Sequence, residues 1–490
     1  MSAGALRPPA LEHPAAGTIA ALLYRVKTED TWPFTNRAMP WGLAAFLVML
    51  WLTPFQAIEL PISLPLDAKL DRPILALLAG GWLVSFGLMS ARVRPHVRLT
   101  PLHGGIALFF VACVASVALN TDLLVNLSEF SLSARKLVLL ISFLTFFAIV
   151  ASVVRPEEVK PFVMLTLGLA ALTALGTIYE YRFESSLFYS WSTTLLPGLV
   201  NVPADLNQID QTGRFTIYGS MGHPLELALS LNLALPFAIM ATVVESDRGK
   251  RIRRLLLTGI IVAGVFSTQR KTGLITSGVG VAVLLAYRPR MLRQLIPLAL
   301  AMMLMLHVLA PGTMGSLRQQ LQPDTVTSVS STEQRSNDYD AITPDVLAHP
   351  AFGRGFGSYD GLKYRILDNQ YLGLLVTIGI VGTALYLLML FTAMGTAHRL
   401  ARDASDPGGP VMLAASASVA SFIAGGALFD VLSFSHVTYL LCFVLGLIAA
   451  GTTPSRRRKR ESLHFAQPDP RAHRRADGRD HLAGLGSGGA

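Results

Sequence analysis

The chain has 490 residues, 52% of them hydrophobic and only 15% charged, well below the roughly 25% charged residues of soluble domains, and this excludes a soluble globular enzyme. The formal net charge of +10 bears first on membrane sidedness, and nucleic acid is not expected as a partner. Cys113 and Cys442 both sit in apolar runs, with neither disulfide-framework nor zinc-site spacing.

Apolar windows approaching the about 20 residues that span hydrocarbon recur along the chain. They predict an all-α polytopic membrane protein of about 12 transmembrane helices, at 41–60, 73–90, 102–120, 137–154, 161–180, 224–244, 255–267, 273–287, 294–310, 370–394, 409–427 and 434–451. Connections 91–101, 155–160, 245–254, 288–294 and 395–408 hold 15 Lys/Arg in 48 residues, whereas the alternate connections hold 13 in 141. The positive-inside rule therefore puts both termini in the cytoplasm and loops 181–223 and 311–368 outside. The first 40 residues lack a cleavable signal pattern and read as a cytoplasmic N-terminal segment. Residues 41–451 form the transmembrane domain that carries the chemistry. Residues 452–490, opening on the basic run Arg456 to Arg460, read as a disordered cytoplasmic tail resting on anionic lipid at most.

Two outer loops are long. Loop 181–223 holds Phe183, Phe188, Tyr189, Trp191 and Leu195, a composition suited to the membrane interface. Loop 311–368, between helices 9 and 10, should be periplasmic, with short helices near 315–322 and 345–349, and it ends in Gly353-Arg-Gly-Phe-Gly357. That glycine run is not a nucleotide loop, because no strand precedes it.

Candidate chemistry gathers at the outer ends of spans. Arg270 and Lys271 occupy a turn between apolar stretches of about 13 and 15 residues, or about 20 and 22 Å. Such short spans would recess Arg270, and an intramembrane guanidinium is by default a functional hypothesis against the alternative of a snorkelling turn. Arg214 and His223 precede the sixth span, where Pro224 suits a first helical position and an anion could face the helix start. Glu226, one turn into that apolar helix, is expected to pair with a basic group such as Arg214 or Arg270. At the entrance to the tenth span, Asp368 is either an N-cap or a general base. His307, His436 and Asp430 read as packing or capping residues.

The order Arg214-Phe-Thr to His223-Pro, then Ser267-x-x-Arg270-x-x-Gly273, then Gly353-Arg-Gly-Phe-Gly357 and Asp368-Asn-Gln-Tyr-Leu-Gly373 to Gly379-Ile-Val-Gly382, resembles the O-antigen ligase and O-antigen polymerase superfamily, mainly over 205–395. The resemblance implies a GT-C-like membrane glycosyltransferase of the cell inner membrane. It would take a glycan from undecaprenyl diphosphate and pass it to a glycolipid or polysaccharide acceptor at the outer face. In such proteins outer arginines hold the diphosphate, and a histidine stands before the Asn; Arg214 and Arg270 match the arginines, while the histidine position is Asp368. Asp368 and Arg270 are accordingly expected to be catalytic. Arg214, Lys271, His223, Arg354, Asn369 and Tyr371 are expected to bind substrate, with no metal and no cofactor. Fixed guanidinium groups suit the charge that develops on a departing diphosphate. The competing class is a polysaccharide transporter or flippase, but no related halves are evident and the charges crowd toward span ends.

Overall fold

Hydrocarbon offers a backbone no hydrogen-bond partners, so a chain this apolar must close its amide bonds internally. The computed structural model describes residues 31–61, 69–88, 94–209, 215–289, 293, 329–402 and 408–453, and among these all regular structure is helical apart from isolated bridges. The helices are α1 (Ala38–Leu52), α2 (Asp71–Leu88), α3 (Pro101–Leu119), α4 (Thr121–Asn126), α5 (Phe130–Val153), α6 (Val159–Phe183) and α7 (Leu187–Leu195). They continue with α8 (Pro224–Val244), α9 (Arg248–Ser267), α10 (Lys271–Tyr287), α11 (Val329–Ala348), α12 (Gln370–Arg402), α13 (Gly409–Gly426) and α14 (Ser435–Gly451).

Eleven of the twelve predicted spans coincide with helices, and the ninth, 294–310, lies outside the described residues, as do 315–322 and the tail from 454. Among the described residues seven helices are long and apolar enough to cross a membrane, and α1, α10 and α14 are shorter apolar helices. Boundaries depart from the hydropathy windows at the first span, where α1 stops at Leu52 ahead of Pro54, and where a charged residue ended the window but not the helix. Thus α5 begins at Phe130 and takes in Arg135 and Lys136, and α9 begins at Arg248, because long aliphatic stems are compatible with helix. The helices flanking Arg270 have 20 and 17 residues, or about 30 and 26 Å, but α9 opens on five Lys/Arg between Arg248 and Arg254, which leaves 255–267 as its apolar stretch. The short helix expected near 345–349 is the end of the 20-residue α11.

Helices α8 and α14 are buried on nearly every face, as befits segments apolar all round. Around them, α14 packs on α5, α13 on α8 and α12, and α9 between α6 and α8. Small residues permit close approach: a Cβ at Gly264 would stand 2.5 Å from Ala174, and one at Gly446 2.5 Å from Val150. At one end of the bundle Arg37 pairs with the buried Glu158, which also accepts from Trp32 N–H at 2.9 Å. The opposite end gathers the starts of α5, α8, α10, α12 and α14, and here the candidate site lies.

Helix α12 is interrupted at Gly379 (φ 66°, ψ −168°). The segment 350–357 inserts into the break: Arg354 and Gly355 N–H donate to the Val376 and Thr377 carbonyls at 3.0 Å each. In return, Ile380 and Val381 N–H donate to Pro350 and Ala351 at 2.9 and 3.1 Å. Ser116 Oγ donates to Thr377 O at 2.7 Å, Asn120 Nδ2 to Gly353 O at 2.9 Å, and Ser133 Oγ to Phe356 O. Irregular backbone in an apolar bundle is tolerated only where its polar groups are satisfied, and the inserted segment supplies the partners.

Candidate functional site

The glycine run does its work in this insertion. A Cβ at Gly353 would lie 2.4–2.6 Å from the Thr377–Ile378 backbone, so only glycine lets the two chains meet. Arg354, between two such glycines, turns into a buried ionic cluster. Its Nη2 donates to Glu129 at 3.0 Å and to Tyr364 Oη at 2.6 Å, its Nη1 donates to Asp345 at 3.1 Å, and its guanidinium lies 4.4 Å from the Tyr364 ring centre. Glu129 also accepts from Tyr364 Oη at 2.5 Å and Lys363 Nζ at 2.8 Å. Burial pushes the Glu129 carboxyl upward, but the hydrogen bonds from Lys363 and Tyr364, with the Arg354 charge, overcome it and hold the group below its ordinary value. Arg354 is thus placed among protein partners and is not a cavity residue. The cluster ties segment 359–368 to the start of α5, and Arg365 pairs with Asp338 of α11.

Below that segment opens a cavity of about 470 Å³, lined by the N-terminal turns of α5 and α12, the start of α8, and the turn between α13 and α14. Its polar lining includes Lys136, His223, Arg365, Asp368, Asp430 and Ser433, and its apolar lining includes Leu139, Phe143, Leu225, Leu374, Phe429 and Phe434. Gln370 Oε1 accepts from Leu432 N–H at 2.7 Å, which draws the α13–α14 turn against the start of α12 and sets Asp430 and Asp368 on one cavity.

Asp368 is exposed and lines the cavity, but it does not cap α12. Asn369 does so, its Oδ1 accepting from Tyr371 N–H at 2.9 Å and Leu372 N–H at 3.4 Å. Tyr371 is turned the other way, its hydroxyl donating to Ile423 O at 2.6 Å, and it locks α12 to α13.

Arg270 is the N-cap residue of α10, half-buried between Thr268 and Thr272, both buried. The preceding Gln269 takes a left-handed conformation (φ 54°). The buried Asn232 of α8 pins the start of α10, its Nδ2 donating to Gly273 O and Thr276 Oγ1 at 2.7 Å each. The Arg270 charge acts on both Tyr218 and His223. Lys271 opens α10 beside it, half-buried and outside the cavity lining. Arg214 lies outside the described residues.

His223 caps α8, its Nδ1 accepting from Leu225 N–H at 3.2 Å, and its ring lines the cavity. Burial first, and the Arg270 charge second, push its pKa below the ordinary value. Glu226 does not pair with an arginine as expected. Fully buried, it accepts from His436 N–H at 2.8 Å, Gly222 N–H at 2.9 Å and Gln56 Nε2 at 2.9 Å, with His436 Nδ1 3.4 Å away. Three neighbouring donors satisfy the carboxylate without a guanidinium. His436 itself stacks on Phe55 at 3.7 Å and contacts Thr53 O through Nε2, so the expected packing role describes its surroundings. His307 lies outside the described residues.

The sequence reading missed Lys136 and Arg365 and took Asp430 for a plain cap. Lys136 Nζ lies 3.4 Å from Ser433 Oγ, which donates to Asp430 at 2.5 Å. Burial raises the Asp430 carboxyl above its ordinary value, opposed by the Ser433 bond and the Lys136 charge. The available signal for Lys136 was a charge directly adjoining the apolar run 137–154, where a long aliphatic stem lets the helix continue. In segment 181–223, α7 turns Phe188 and Tyr189 inward and leaves Trp191 and Leu195 exposed, and Phe183 at the end of α6 is exposed as well.

Residues 256–387 match the family model described as O-Antigen ligase. The match supports the likeness of this segment to the O-antigen ligase and polymerase superfamily. No curated protein matches the chain. The matched segment runs from α9 into α12 and contains Arg270, Lys271, Arg354, Asp368, Asn369 and Tyr371, while the His223, Lys136 and Asp430 walls of the cavity come from outside it. The match supports an O-antigen ligase or polymerase type of function in general terms, in a helical membrane protein.

Proposed function

We propose that the chain transfers a glycan from undecaprenyl diphosphate to an acceptor hydroxyl, of lipid A-core or a similar glycolipid, at the outer face of the inner membrane. The observation that carries this reading is one cavity, at the end of the bundle that the basic residues assign to the outside, lined by Asp368 and His223, next to Arg270 and walled on one side by apolar side chains. A saccharide needs hydroxyl partners and a lipid carrier needs apolar contact, and the lining offers both. In the reaction the acceptor oxygen bonds to the anomeric carbon, the bond from that carbon to the diphosphate breaks, and the acceptor proton passes to Asp368. Negative charge grows on the departing diphosphate, where a preorganised guanidinium is most effective, and Arg270 takes that role with Arg214.

The break in α12 does not favour the transporter reading. Discontinuous helices in transporters leave backbone groups open to substrate or ion, whereas here the inserted segment occupies them.

Arg270→Lys should lose most activity although its charge is kept, because an ammonium cannot make the two-pronged contact with a diphosphate. The check is glycan product at matched protein level in a strain lacking the chromosomal copy, and near-normal product would remove the clamp. The same deletion strain separates ligation from the alternatives of repeat-unit polymerisation and protein O-glycan transfer. Accumulated undecaprenyl-linked full-length chains indicate ligation, single repeat units indicate polymerisation, and loss of glycoprotein alone indicates protein transfer. Sidedness is tested by cysteine labelling in intact cells: an impermeant reagent should modify Ser330→Cys and spare Ser455→Cys, and the reverse pattern would invert the site to the cytoplasm.

A further inference from the structure

The cavity contains a histidine whose two nitrogens have different surroundings, and that difference assigns it a role. A backbone N–H can only donate, so the bond from Leu225 N–H to His223 Nδ1 at 3.2 Å requires a lone pair on Nδ1. In the neutral ring the proton then resides on Nε2. Among the described residues Nε2 has no hydrogen-bond partner, while the ring lines the cavity. Its orientation is set from three directions: by Pro224 in the first turn of α8, by Phe434 at 5.2 Å between ring centres, and by Tyr218 at 6.2 Å and 77°. Proton acceptance at Nε2 would require the other tautomer, with Nδ1–H facing Leu225 N–H, two donors opposed.

Resting on the glycan-transfer reading above, we propose that His223 is a fixed, neutral hydrogen-bond donor that presents Nε2–H to an oxygen of the bound diphosphate, and that it is not the base of the reaction. An anionic oxygen is favoured over a sugar hydroxyl because the Arg270 charge acts on the same ring and would draw the diphosphate there. The same charge, together with burial, keeps the ring from taking a second proton, against the opposing carboxylates Glu226 and Asp205. An uncharged donor beside a guanidinium adds direction to the grip without adding positive charge that must be desolvated.

Two near-isosteres separate the functions of the two nitrogens. His223→Asn places an oxygen near the position of Nδ1 and keeps the cap, Asn being among the best N-cap residues, but withdraws the group that reached into the cavity. His223→Gln restores an N–H near the position of Nε2 and weakens the cap. In a purified assay with undecaprenyl-diphosphate-linked glycan as the varied substrate, His223→Asn should fold normally and lose about 10- to 100-fold in kcat/KM for the donor, the range for one hydrogen bond to a charged group. His223→Gln should stand at least about tenfold above it on the same scale. Histidine ¹⁵N spectra of the detergent-solubilised protein, assigned by difference from His223→Asn, should show a protonated Nε2 and an unprotonated Nδ1. Normal turnover by His223→Asn would reduce the residue to a cap. A Gln variant no better than the Asn variant, or a spectrum with Nε2 unprotonated, would also overturn the proposal. Arg270→Lys is assayed in parallel: if it retains activity the diphosphate reading itself fails, and if it is inactive while His223→Asn is normal only the donor role is lost.

Discussion

Replacing Asp368 by Asn should lower glycan transfer by about 10²-fold or more, the usual scale for a lost general base, with no loss of folded protein. The substitution keeps the shape of the side chain and removes its capacity to take a proton. The cap at the start of α12 gives this test its force. Because Asn369 supplies the oxygen that Tyr371 and Leu372 N–H reach, Asp368 is not needed to hold the helix end. Asp368→Ala should therefore fold as well as Asp368→Asn, where loss of a true N-cap costs about 1 kcal/mol. Both variants should yield normal amounts of protein and both should be slow. The measurement is turnover at saturating donor with purified protein. Full turnover by Asp368→Asn would remove it as the base, and the tautomer of His223 would then leave a route without a dedicated proton acceptor in that ring.

The largest expected effect on folding lies at Gly379. Its φ of 66° with ψ of −168° belongs to a region essentially restricted to glycine, and a Cβ there would stand 2.4 Å from Ala351 O and 2.6 Å from Gly353 N. A non-glycine residue in such a conformation costs about 1–3 kcal/mol, and forcing backbone apart in a packed core adds about 1–3 kcal/mol more. Relief would require segment 350–357 to withdraw, leaving the Val376 carbonyl and the Ile380 and Val381 N–H groups without their partners in an apolar bundle. Gly379→Ala should accordingly give little folded protein by size-exclusion in detergent. Gly395→Ala, on the same helix with nothing within 4 Å of the added carbon, should be recovered in normal amounts. A Gly379→Ala protein with normal yield and thermal stability would mean that the insertion is not what holds α12 together.

These residues also divide what could be read along the chain from what could not. Helix position was legible because hydropathy is a property of consecutive residues: eleven predicted spans coincide with helices, with errors at ends such as Phe130 and Arg248, where charges with long stems continue the helix. The motif glycines were legible as unusual, and the order of the motifs pointed to the superfamily that the match over 256–387 supports. Their purpose was not, because Gly353 and Gly379 matter to each other through a backbone exchange that no spacing reveals. The same holds for Glu226, whose expected partner was an arginine and whose actual partners are Gln56, 170 residues earlier, and His436, 210 residues later. For Asp368 the sequence left cap and base as alternatives, and the two hydrogen bonds to Asn369 Oδ1 show which residue caps. Lys136 and Asp430 joined the cavity only because α5, α12 and the α13–α14 turn converge. Composition along a chain determines which segments leave water. Which polar groups meet inside depends on how those segments pack, and there each buried donor or acceptor must take whichever partner the packing brings within about 3 Å.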